Sequence, residues 1–538
     1  MDADYVVVGA GSAGCVVAAR LSEDARARVV LLEAGPKDSN IFIHIPAGMR
    51  HLLNRGLVNW NYVTEPDPNI AGRQLAWPRG RVLGGSSSIN GMNYVRGNAA
   101  DFDGWAQMGC RGWTYDEVLP FFKKSEAYEG DGDPAYRGTD GPIPVEDYPT
   151  VLPITRHFVA AAQQAGFTLH DYNGKTQEGV GYSQMTRGGR WRGSTAATFL
   201  AQAKSRSNLV IETDAIATGL TFEGTRCTGV TFRQHGTEHT ITARREVILA
   251  GGSINSPHLL QLSGIGDPEH LAGLGIPVRH ALKGVGRNLS DHYAPRMMFR
   301  VQDGFETLNQ LSRGWRLARE IGKWMVTANG ALTFGVSAAS IFCRSEPSKA
   351  SPDLQLLFAP MSWDQNNFGR FDDMPGVMLS VCPTRPGSRG TVMAKSADPM
   401  DRPVIHSNYL TDPADMQVTL NGIKIARSIF AQSAMAPHVV KETLPGPSVT
   451  TDGGLAEFTR KTGNSVFHPV GTCKMGEDTT AVVDSRLRVH GLQGLRVIDG
   501  SIMPTLTTGN TNAPIIMIGE KGAAMIREDA RMSLGAVA

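Results

Sequence analysis

Two segments near the carboxyl end of the chain combine side chains that can move a proton and hold a negative charge. Residues 465–476 carry His468 between flanks punctuated by glycine and proline, and residues 508–514 carry Asn512. A histidine takes up a proton near neutral pH, and a fixed amide donor stabilises negative charge that develops on an oxygen. Removal of hydride from an alcohol needs both functions, so His468 and Asn512 form a candidate catalytic pair.

Both candidate residues also have ordinary structural interpretations. The chain has fourteen histidines, and most lie among polar residues or turns, which predicts surface or capping roles. His468 differs because its flanks lack any helix or strand period, as in a shaped loop. Asn512 precedes Ala513 and Pro514, which begin a predicted last helix that an asparagine can cap. The positive end of that helix would also favour negative charge on a bound group.

A glycine-rich turn near the start of the chain lies between a β-branched run over 5–8 and a helical pattern over 15–21. It matches G-x-G-x-x-G, where Gly9 permits a tight turn, Gly11 lets the backbone approach a pyrophosphate and Gly14 allows close packing. Glu33 ends the second strand about 20 residues later, where a carboxylate accepts both ribose hydroxyls of an adenosine. The single motif favours a tightly held flavin over a combination of FAD and NADPH.

A second glycine-rich run, residues 80–97, has no helix or strand period and interleaves apolar residues with serine and asparagine. Flexible linkers rarely carry so many residues of the buried type. The glycines allow close backbone approach, while the serine and asparagine side chains offer donors and acceptors. The run therefore suits a polar ligand such as a pyrophosphate or an isoalloxazine ring.

Residues 80–97 resemble the first signature of the glucose–methanol–choline (GMC) flavoprotein oxidoreductases, and residues 252–266 resemble the second. The resemblance covers essentially the whole chain, with choline dehydrogenases, alcohol dehydrogenases and hydroxymethylfurfural-type oxidases most similar in pattern. It implies FAD as cofactor, His468 as the catalytic histidine and Asn512 as the second catalytic position. The implied cofactor-binding residues are Gly9, Gly11, Ser12, Ala13, Gly14, Glu33, Ala34, Arg81, Gly85, Ser86, Asn90, Gly91, Met92, Asn93, Ala217, Ala250, Gly251, Phe467, Asp499, Gly500, Thr511 and Pro514.

The resemblance also implies a reaction. His468 would remove the hydroxyl proton of a primary alcohol, Asn512 would bond the same oxygen, and a hydride would pass to N5 of the flavin. Some relatives attach FAD covalently through a histidine where this chain has Ile89, which predicts non-covalent FAD. The sequence reveals no aromatic cage for a trimethylammonium group, which favours an uncharged primary alcohol over choline. Oxygen or a quinone would accept the electrons.

Other functions fit parts of the pattern. A non-redox flavoprotein lyase and a light-driven decarboxylase share the fold, but such relatives differ at the positions of His468 and Asn512. An NAD-dependent dehydrogenase would use only the first glycine-rich turn. A non-catalytic dinucleotide-binding module would leave residues 80–97 and 465–476 without a role.

The elements that must position these residues predict an α/β chain (α+β overall), with a Rossmann-like FAD-binding domain and an inserted antiparallel-sheet substrate domain. Residues 36–150 are predicted to be long ordered connections. Residues 362–376 are predicted to be a loop near the mouth of a substrate pocket built from residues 295–470. The predicted FAD-binding domain comprises residues 1–155, 190–295 and 480–538, and the substrate domain comprises residues 156–189 and 296–479.

The composition of the 538 residues, 41% hydrophobic and 19% charged with a net charge of +2, is that of a globular protein. This balance gives no indication of nucleic-acid binding. The six cysteines are scattered without a CxxC pair, which argues against a disulfide framework or zinc site and favours a reducing cytoplasm. The sequence shows no signal peptide and no transmembrane span. Peripheral membrane contact and oligomeric state remain open at this level.

Overall fold

The computed structural model describes residues 2–364 and 370–535. Within them, a seven-stranded sheet has a parallel centre, and an antiparallel extension pairs with one of its central strands. Its strands, in spatial order, are Leu209–Glu212, Val29–Leu32, Asp2–Val8, Thr237–Leu249, Arg226–Gln234 and Ala215–Glu223, with Leu495–Val497 also paired to Thr237–Leu249.

The parallel centre of this sheet is buried on both faces, as such sheets require. The run Val6–Val8 is buried throughout, and so is Val29–Leu32 beside it. The first helix, Ser12–Leu21, packs on one face, where it contacts the last helix, Asn512–Gly535. The predicted β-α-β unit is therefore present, and the helix begins within the glycine-rich motif, at Ser12.

A second sheet of six strands is antiparallel throughout. Helices Pro153–Gln164 and Pro413–Phe430 cover it, and Phe158 stacks on Phe358 with ring centroids 4.1 Å apart. The strands, in spatial order, are Val439–Leu444, Arg296–Val301, Gly376–Pro383, Leu354–Ala359, Ala339–Cys343 and Gly179–Tyr182.

Residues 36–150, predicted to be connections, contain more regular structure than expected. Capping boxes at Asn98 and Thr114 start the helices Ala99–Gln107 and Tyr115–Ser125. Gly104 in the first helix and Pro120 in the second are residues that disfavour helices, so neither helix was evident in the sequence. Further elements of this region are Ile41–His44, Met49–Asn54, Tyr62–Val63, Ala76–Trp77, Glu126–Tyr128 and Ile143–Asp147.

The remaining elements are short and mostly connect or flank the two sheets. The helices are Ala201–Ala203, Gly252–Leu262, Pro268–Gly273, Leu308–Leu311, Gly314–Thr327 and Asp452–Thr462. The short strands are Gln184–Met185, Arg187–Gly188, Trp191–Arg192, Ile265–Gly266, His280–Ala281, Tyr293–Ala294, Thr391–Met393, Val404–His406 and Asn464–Ser465.

We propose the domain division predicted from the sequence. Every strand of the first sheet lies in the predicted FAD-binding domain, and every strand of the second sheet lies in the predicted substrate domain. Of the predicted loop 362–376, residues 365–369 lie outside the described residues, and Trp363 and Phe371 on either side form an antiparallel bridge. None of the described helices combines the length and hydropathy needed to cross a lipid bilayer.

Candidate active site

A cleft of about 460 Å³ opens at the carboxyl ends of the parallel strands, where Val8, Leu32 and Leu249 reach its wall. Its position and size are those of a ligand site in an open α/β sheet. Many residues predicted to bind the cofactor line it. They are Gly9, Gly11, Ser12, Ala13, Glu33, Ala34, Arg81, Gly85, Ser86, Ala217, Ala250, Gly251, Asp499 and Gly500.

The glycines of the first turn leave the room that a dinucleotide needs. Gly9 has a φ of +101°, and a Cβ atom there would lie 2.6 Å from the carbonyl oxygen of Ala250. A Cβ atom at Gly14 would lie 1.9 Å from the carbonyl oxygen of Gly9, so helix and strand pack against each other. At Gly11 the nearest such atom is 3.8 Å away. Gly11 therefore leaves its backbone open to the cleft, as approach of a pyrophosphate requires.

Helix N-termini add an anion-binding surface to the cleft. Ser12–Leu21 and Gly252–Leu262 both begin at its wall. Asp499 holds the second of these, because its carboxylate accepts the Gly252 N–H at 2.7 Å and the Ser256 hydroxyl at 2.6 Å. At the first helix, whose N-terminus has no side-chain cap, free N–H groups and the helix dipole both favour a phosphate.

Glu33 is fixed in the wall of the cleft. Its two carboxylate oxygens accept the backbone N–H groups of Ala10 and Gly35, each at 2.9 Å. Burial raises the pKa of Glu33 to about 7, and these hydrogen bonds oppose the rise. Each oxygen keeps a lone pair for a further donor such as a ribose hydroxyl. The shape and donor set of the cleft therefore fit a dinucleotide such as FAD.

Residues 90–93 do not line the cleft, and Met92 belongs to the hydrophobic core of the second sheet. The side chain of Asn90 accepts the Met92 N–H at 3.0 Å and an Arg192 N–H at 2.7 Å. A Cβ atom at Gly91 would lie 2.3 Å from Val336, and Asn93 donates to the Ser337 hydroxyl at 2.7 Å. Met92 is buried with a φ of +64°. Ile89 packs in a small apolar cluster with Ile43, Leu52 and Val82.

His468 lies between two antiparallel pairings that join distant segments of the chain. Tyr293 pairs with Ser465 and Ser290 with Val470, which brings residues 290–294 alongside the loop that carries His468. The backbone N–H of His468 donates to the Asp291 carboxylate at 2.7 Å. The loop is therefore anchored from a segment well over a hundred residues earlier.

The residue before His468 is held in an unusual conformation. Phe467 has a φ of +68°, which is costly for a residue with a side chain. Its N–H donates to the Ser465 hydroxyl at 2.8 Å, and its carbonyl oxygen accepts a guanidinium N–H of Arg79 at 2.6 Å. These bonds offset the strain and fix the direction of the following imidazole.

The imidazole of His468 contacts a second histidine. Nδ1 of His468 lies 2.9 Å from Nδ1 of His292, and Nε2 of His292 lies 3.0 Å from the carbonyl oxygen of Thr384. Burial lowers the pKa of His292 to about 4. Burial, together with the charges of His292 and Arg79, holds the pKa of His468 well below 6.5. Both imidazoles are therefore neutral at physiological pH.

The structure corrects the expected pairing of His468 with Asn512. The carboxamide beside His468 is that of Asn510, whose Nδ2 lies 3.1 Å from Nε2 of the imidazole. Asn512 begins the last helix, and its amide donates to the Ser12 hydroxyl at 2.9 Å. The reason is geometric, because residues 508–511 form a loop before the helix, and its turn sends the two side chains to different partners.

The segment around Asn512 ties the last helix to the first. Ser12 stands at the start of the first helix, so its bond to Asn512 joins two helix N-termini beside the cleft. Thr511 precedes the last helix and accepts the Ile515 N–H at 3.1 Å, with Pro514 in the first turn. This arrangement makes Asn512 part of the cofactor cradle rather than a neighbour of His468.

Sequence reasoning missed four residues of the site: Asn510, Arg79, Asp291 and His292. Asn510 stands in the segment that was singled out, two residues from the residue chosen. Asp291 and His292 carry no local signal, because only the pairing of residues 290–294 with the His468 loop brings them there. The cleft also gains walls from residues 59–62 and 399–403.

Comparisons with known proteins agree with this geometry. Family models for the GMC oxidoreductases match residues 3–294 and 386–519. The chain is 42% identical over 528 residues to an alcohol dehydrogenase [acceptor] from Pseudomonas putida, covering 97% of this chain and 95% of that protein. It is 44% identical over 541 residues to the mitochondrial choline dehydrogenase of Homo sapiens, covering 97% and 89%.

Solved structures show the same fold. A pyridoxine 4-oxidase from Mesorbium loti superposes with a TM-score of 0.89 at 29% identity, covering 98% of this chain and 99% of that chain. An FAD-dependent oxidoreductase from Chaetomium thermophilum superposes with a TM-score of 0.91 at 26% identity, covering 98% and 100%. These matches confirm the mixed α/β fold, the FAD cofactor and the oxidoreductase class that the sequence predicted. The chain therefore belongs to the GMC oxidoreductase family of FAD-dependent enzymes.

Proposed function

We propose that this enzyme oxidises an uncharged primary alcohol to the aldehyde, with His468 as the base and Asn510 as the donor to the substrate oxygen. One observation carries the proposal: Nε2 of His468 and Nδ2 of Asn510 lie 3.1 Å apart. At this separation a single hydroxyl oxygen can bond to both nitrogens. In the same region Oδ1 of Asn510 is buried without a hydrogen-bond partner among the described residues, which supports a place for a polar ligand.

The hydrogen bonds around His468 support a base with its lone pair towards the substrate. The carbonyl oxygen of Thr384 can only accept, so Nε2 of His292 carries a proton. Nδ1 of the neutral His292 must then accept from Nδ1–H of His468. The neutral His468 therefore has its lone pair on Nε2, the nitrogen beside Asn510. This chain of bonds selects the tautomer that can take a proton from an alcohol.

The residues then divide the work as follows. FAD bound in the cleft supplies the two-electron acceptor for the hydride that leaves the substrate carbon. Nε2 of His468 takes the hydroxyl proton, so that the electron pair of the O–H bond remains on oxygen and forms the carbonyl bond. Asn510 donates to the oxygen while it carries negative charge, which lowers the barrier. The imidazolium N–H then bonds the carbonyl oxygen of the aldehyde.

The charge near His468 favours a substrate without a positive charge. The half-buried guanidinium of Arg79 acts on His468 and contributes to its lowered pKa. The nearby Asp291 carboxylate already accepts the His468 N–H and the hydroxyls of Ser465 and Tyr409. Asp291 and Arg79 carry opposite charges, so a trimethylammonium group beside them would gain little net attraction. Choline oxidation is the alternative, since relatives that resemble this chain equally well are choline dehydrogenases.

We also propose that FAD is bound without a covalent link through residue 89. Isoleucine has no nucleophilic atom, and Ile89 packs among apolar side chains. Acid precipitation should release yellow FAD into the supernatant and leave a colourless pellet. A yellow pellet would contradict the proposal.

The proposed function is tested by anaerobic reduction of the purified yellow enzyme with aliphatic, aryl, polyol and amino alcohols. We expect an uncharged primary alcohol to bleach the flavin fastest. Bleaching by choline alone would favour the alternative substrate, and the absence of bleaching by any alcohol would favour a lyase. His468→Ala should slow bleaching by several orders of magnitude with FAD still bound.

Asn510 and Asn512 provide a matched pair of variants. Removal of one donor to a developing oxyanion costs about 10²- to 10³-fold in rate, so Asn510→Ala should slow flavin reduction by that factor. Asn512→Ala loses the bond to Ser12 and should weaken FAD retention, with reduction in the FAD-loaded fraction close to the parent rate. The reverse pattern would return the catalytic role to Asn512.

A further inference from the structure

The helix Gly314–Thr327 is amphipathic, and its apolar arc is wide. At 100° per residue, Trp315, Leu317, Ile321, Met325 and Val326 share one side with small residues. The polar side carries Arg316, Arg319, Glu320, Lys323 and Thr327. In a globular protein the apolar side of such a helix normally faces the core.

Here the helix is inverted, because its apolar side faces solvent. Val326 is 81% exposed, Trp315 68% and Met325 58%. Ile321 and Leu317 are also exposed, whereas the buried residues are Glu320 and Trp324. Contiguous exposed apolar side chains of this size mark an interaction surface.

The protein itself holds the helix in this orientation. The buried carboxylate of Glu320 accepts the Ala331 N–H at 2.9 Å. The indole of Trp324 donates to the carbonyl oxygen of Arg190 at 3.3 Å and meets Trp191 edge to face, with centroids 5.3 Å apart. The helix therefore cannot roll to bury its apolar side without losing these contacts.

Trp191 extends the apolar surface beyond the helix. Its ring is 42% exposed and borders a shallow groove that also contains Ile41, which is 52% exposed. We call the exposed apolar side chains of helix Gly314–Thr327 together with Trp191 the apolar face. It combines aliphatic side chains with tryptophans, the residue type that favours the boundary between lipid and water.

Positive charge borders the apolar face. Arg316, Arg319 and Lys323 outnumber the single carboxylate of the helix, and that carboxylate is buried. The guanidinium groups of Arg316 and Arg319 lie over the Trp315 ring, 5.9 and 5.5 Å from its centroid. Arg190 adds a cation near Trp324. Arg319 is ion-paired with Glu306 and Glu320, whereas Arg316, Lys323 and Arg190 add charge complementary to anionic lipid headgroups.

We propose that the apolar face lies in the surface of an anionic lipid membrane, with the helix axis parallel to the bilayer plane. A large apolar arc flanked by arginine and lysine is the pattern of an interfacial helix. The inference goes beyond the proposed function and does not depend on it, because it concerns where the enzyme resides and not what it oxidises. The segment after the helix packs against Gly91, one of the predicted cofactor-binding residues, through Gly335 and Val336.

The test is flotation of the FAD-loaded enzyme with vesicles of phosphatidylcholine alone or of equal parts phosphatidylcholine and phosphatidylglycerol. The parent should float with the anionic vesicles at low salt and much less with the neutral ones. Met325→Glu/Val326→Glu should reduce the bound fraction by about tenfold or more, because two carboxylates enter the lipid boundary. The control Val440→Glu/Met532→Glu places the same charges at exposed apolar positions elsewhere and should float like the parent.

Both double variants change exposed side chains, so FAD content and oxidation of a water-soluble alcohol should stay at the parent level. Failure of the parent to float with anionic vesicles would overturn the proposal. Equal flotation of the parent and Met325→Glu/Val326→Glu would also overturn it. Light scattering supplies a further check, because a parent dimer that this variant dissociates, without vesicle binding, would assign the face to a second copy of the chain.

Discussion

His292 is the residue whose replacement tests the tautomer argument most directly. His292→Phe keeps a ring of similar size and removes the acceptor for Nδ1–H of His468. A buried donor left without a partner costs about 1–3 kcal/mol. This cost falls on the productive tautomer of His468, so the population with its proton on Nε2, which cannot act as a base, should rise.

The expected loss follows from that cost. Since about 1.4 kcal/mol corresponds to a factor of ten, the productive tautomer and the rate of flavin reduction should fall roughly 5- to 150-fold. His292→Asn should restore part of the rate, because its carboxamide oxygen can accept from His468. Loss of the His292 charge should also move the acid limb of the pH profile upwards, as that charge helps to lower the pKa of His468.

The assay is anaerobic stopped-flow reduction of bound flavin by saturating alcohol across pH. His280→Phe is the control, because His280 is likewise bonded to a backbone carbonyl, that of His490, at 2.9 Å but away from His468. A His292→Phe enzyme that retains FAD and reduces it at the parent rate would refute the tautomer argument. Equal rates of flavin reduction for His292→Phe and His292→Asn would refute the role of His292 as a hydrogen-bond acceptor. Any effect of the substitutions would then come from packing.

Three further results are expected. The acid limb of flavin reduction should lie below pH 6.5, because the pKa of His468 is lowered and only its neutral form takes a proton; a limb above pH 6.5 would contradict this. The free energy of unfolding of the holoenzyme should fall as the pH is lowered from 6.5 to 4, because His292 is protonated in the unfolded chain before it is protonated in the folded one. The loss is on the order of 3 kcal/mol. In urea titrations at several pH values, the free energy of unfolding of His292→Asn should depend less steeply on pH. Gly14→Ala should abolish FAD binding, since its Cβ would lie 1.9 Å from the Gly9 carbonyl oxygen, whereas Gly104→Ala, with open space at the Cβ position, should yield yellow protein.

The sequence predicted the parts of the fold that local patterns determine. The run Val29–Leu32 is a strand because four consecutive apolar β-type residues suit a sheet buried on both faces. The turn around Gly11 was identified because strand, glycines and helix follow in the required order. Cofactor and family followed from such local features, which do not depend on contacts between distant segments.

The surroundings of His468 were predicted only in part, because they depend on contacts between distant segments. His468 could be found from its loop, but its partners depend on how chains cross. Asn510 and Asn512 differ by two positions in one short segment, and only the turn before the last helix decides which faces the imidazole. Strand pairing places His292 beside His468, and no sequence pattern near residue 292 predicts that pairing.

The bond from His292 to the Thr384 carbonyl oxygen limits the path by which a proton can leave the site during catalysis. A peptide oxygen terminates the chain of imidazoles, and it offers no site that could receive a proton and release it to bulk water. A proton taken up on Nε2 of His468 therefore cannot be relayed through His292 to solvent. If His468 is the base, as proposed, this proton leaves on the substrate side, because a peptide oxygen ends the chain behind the imidazole pair.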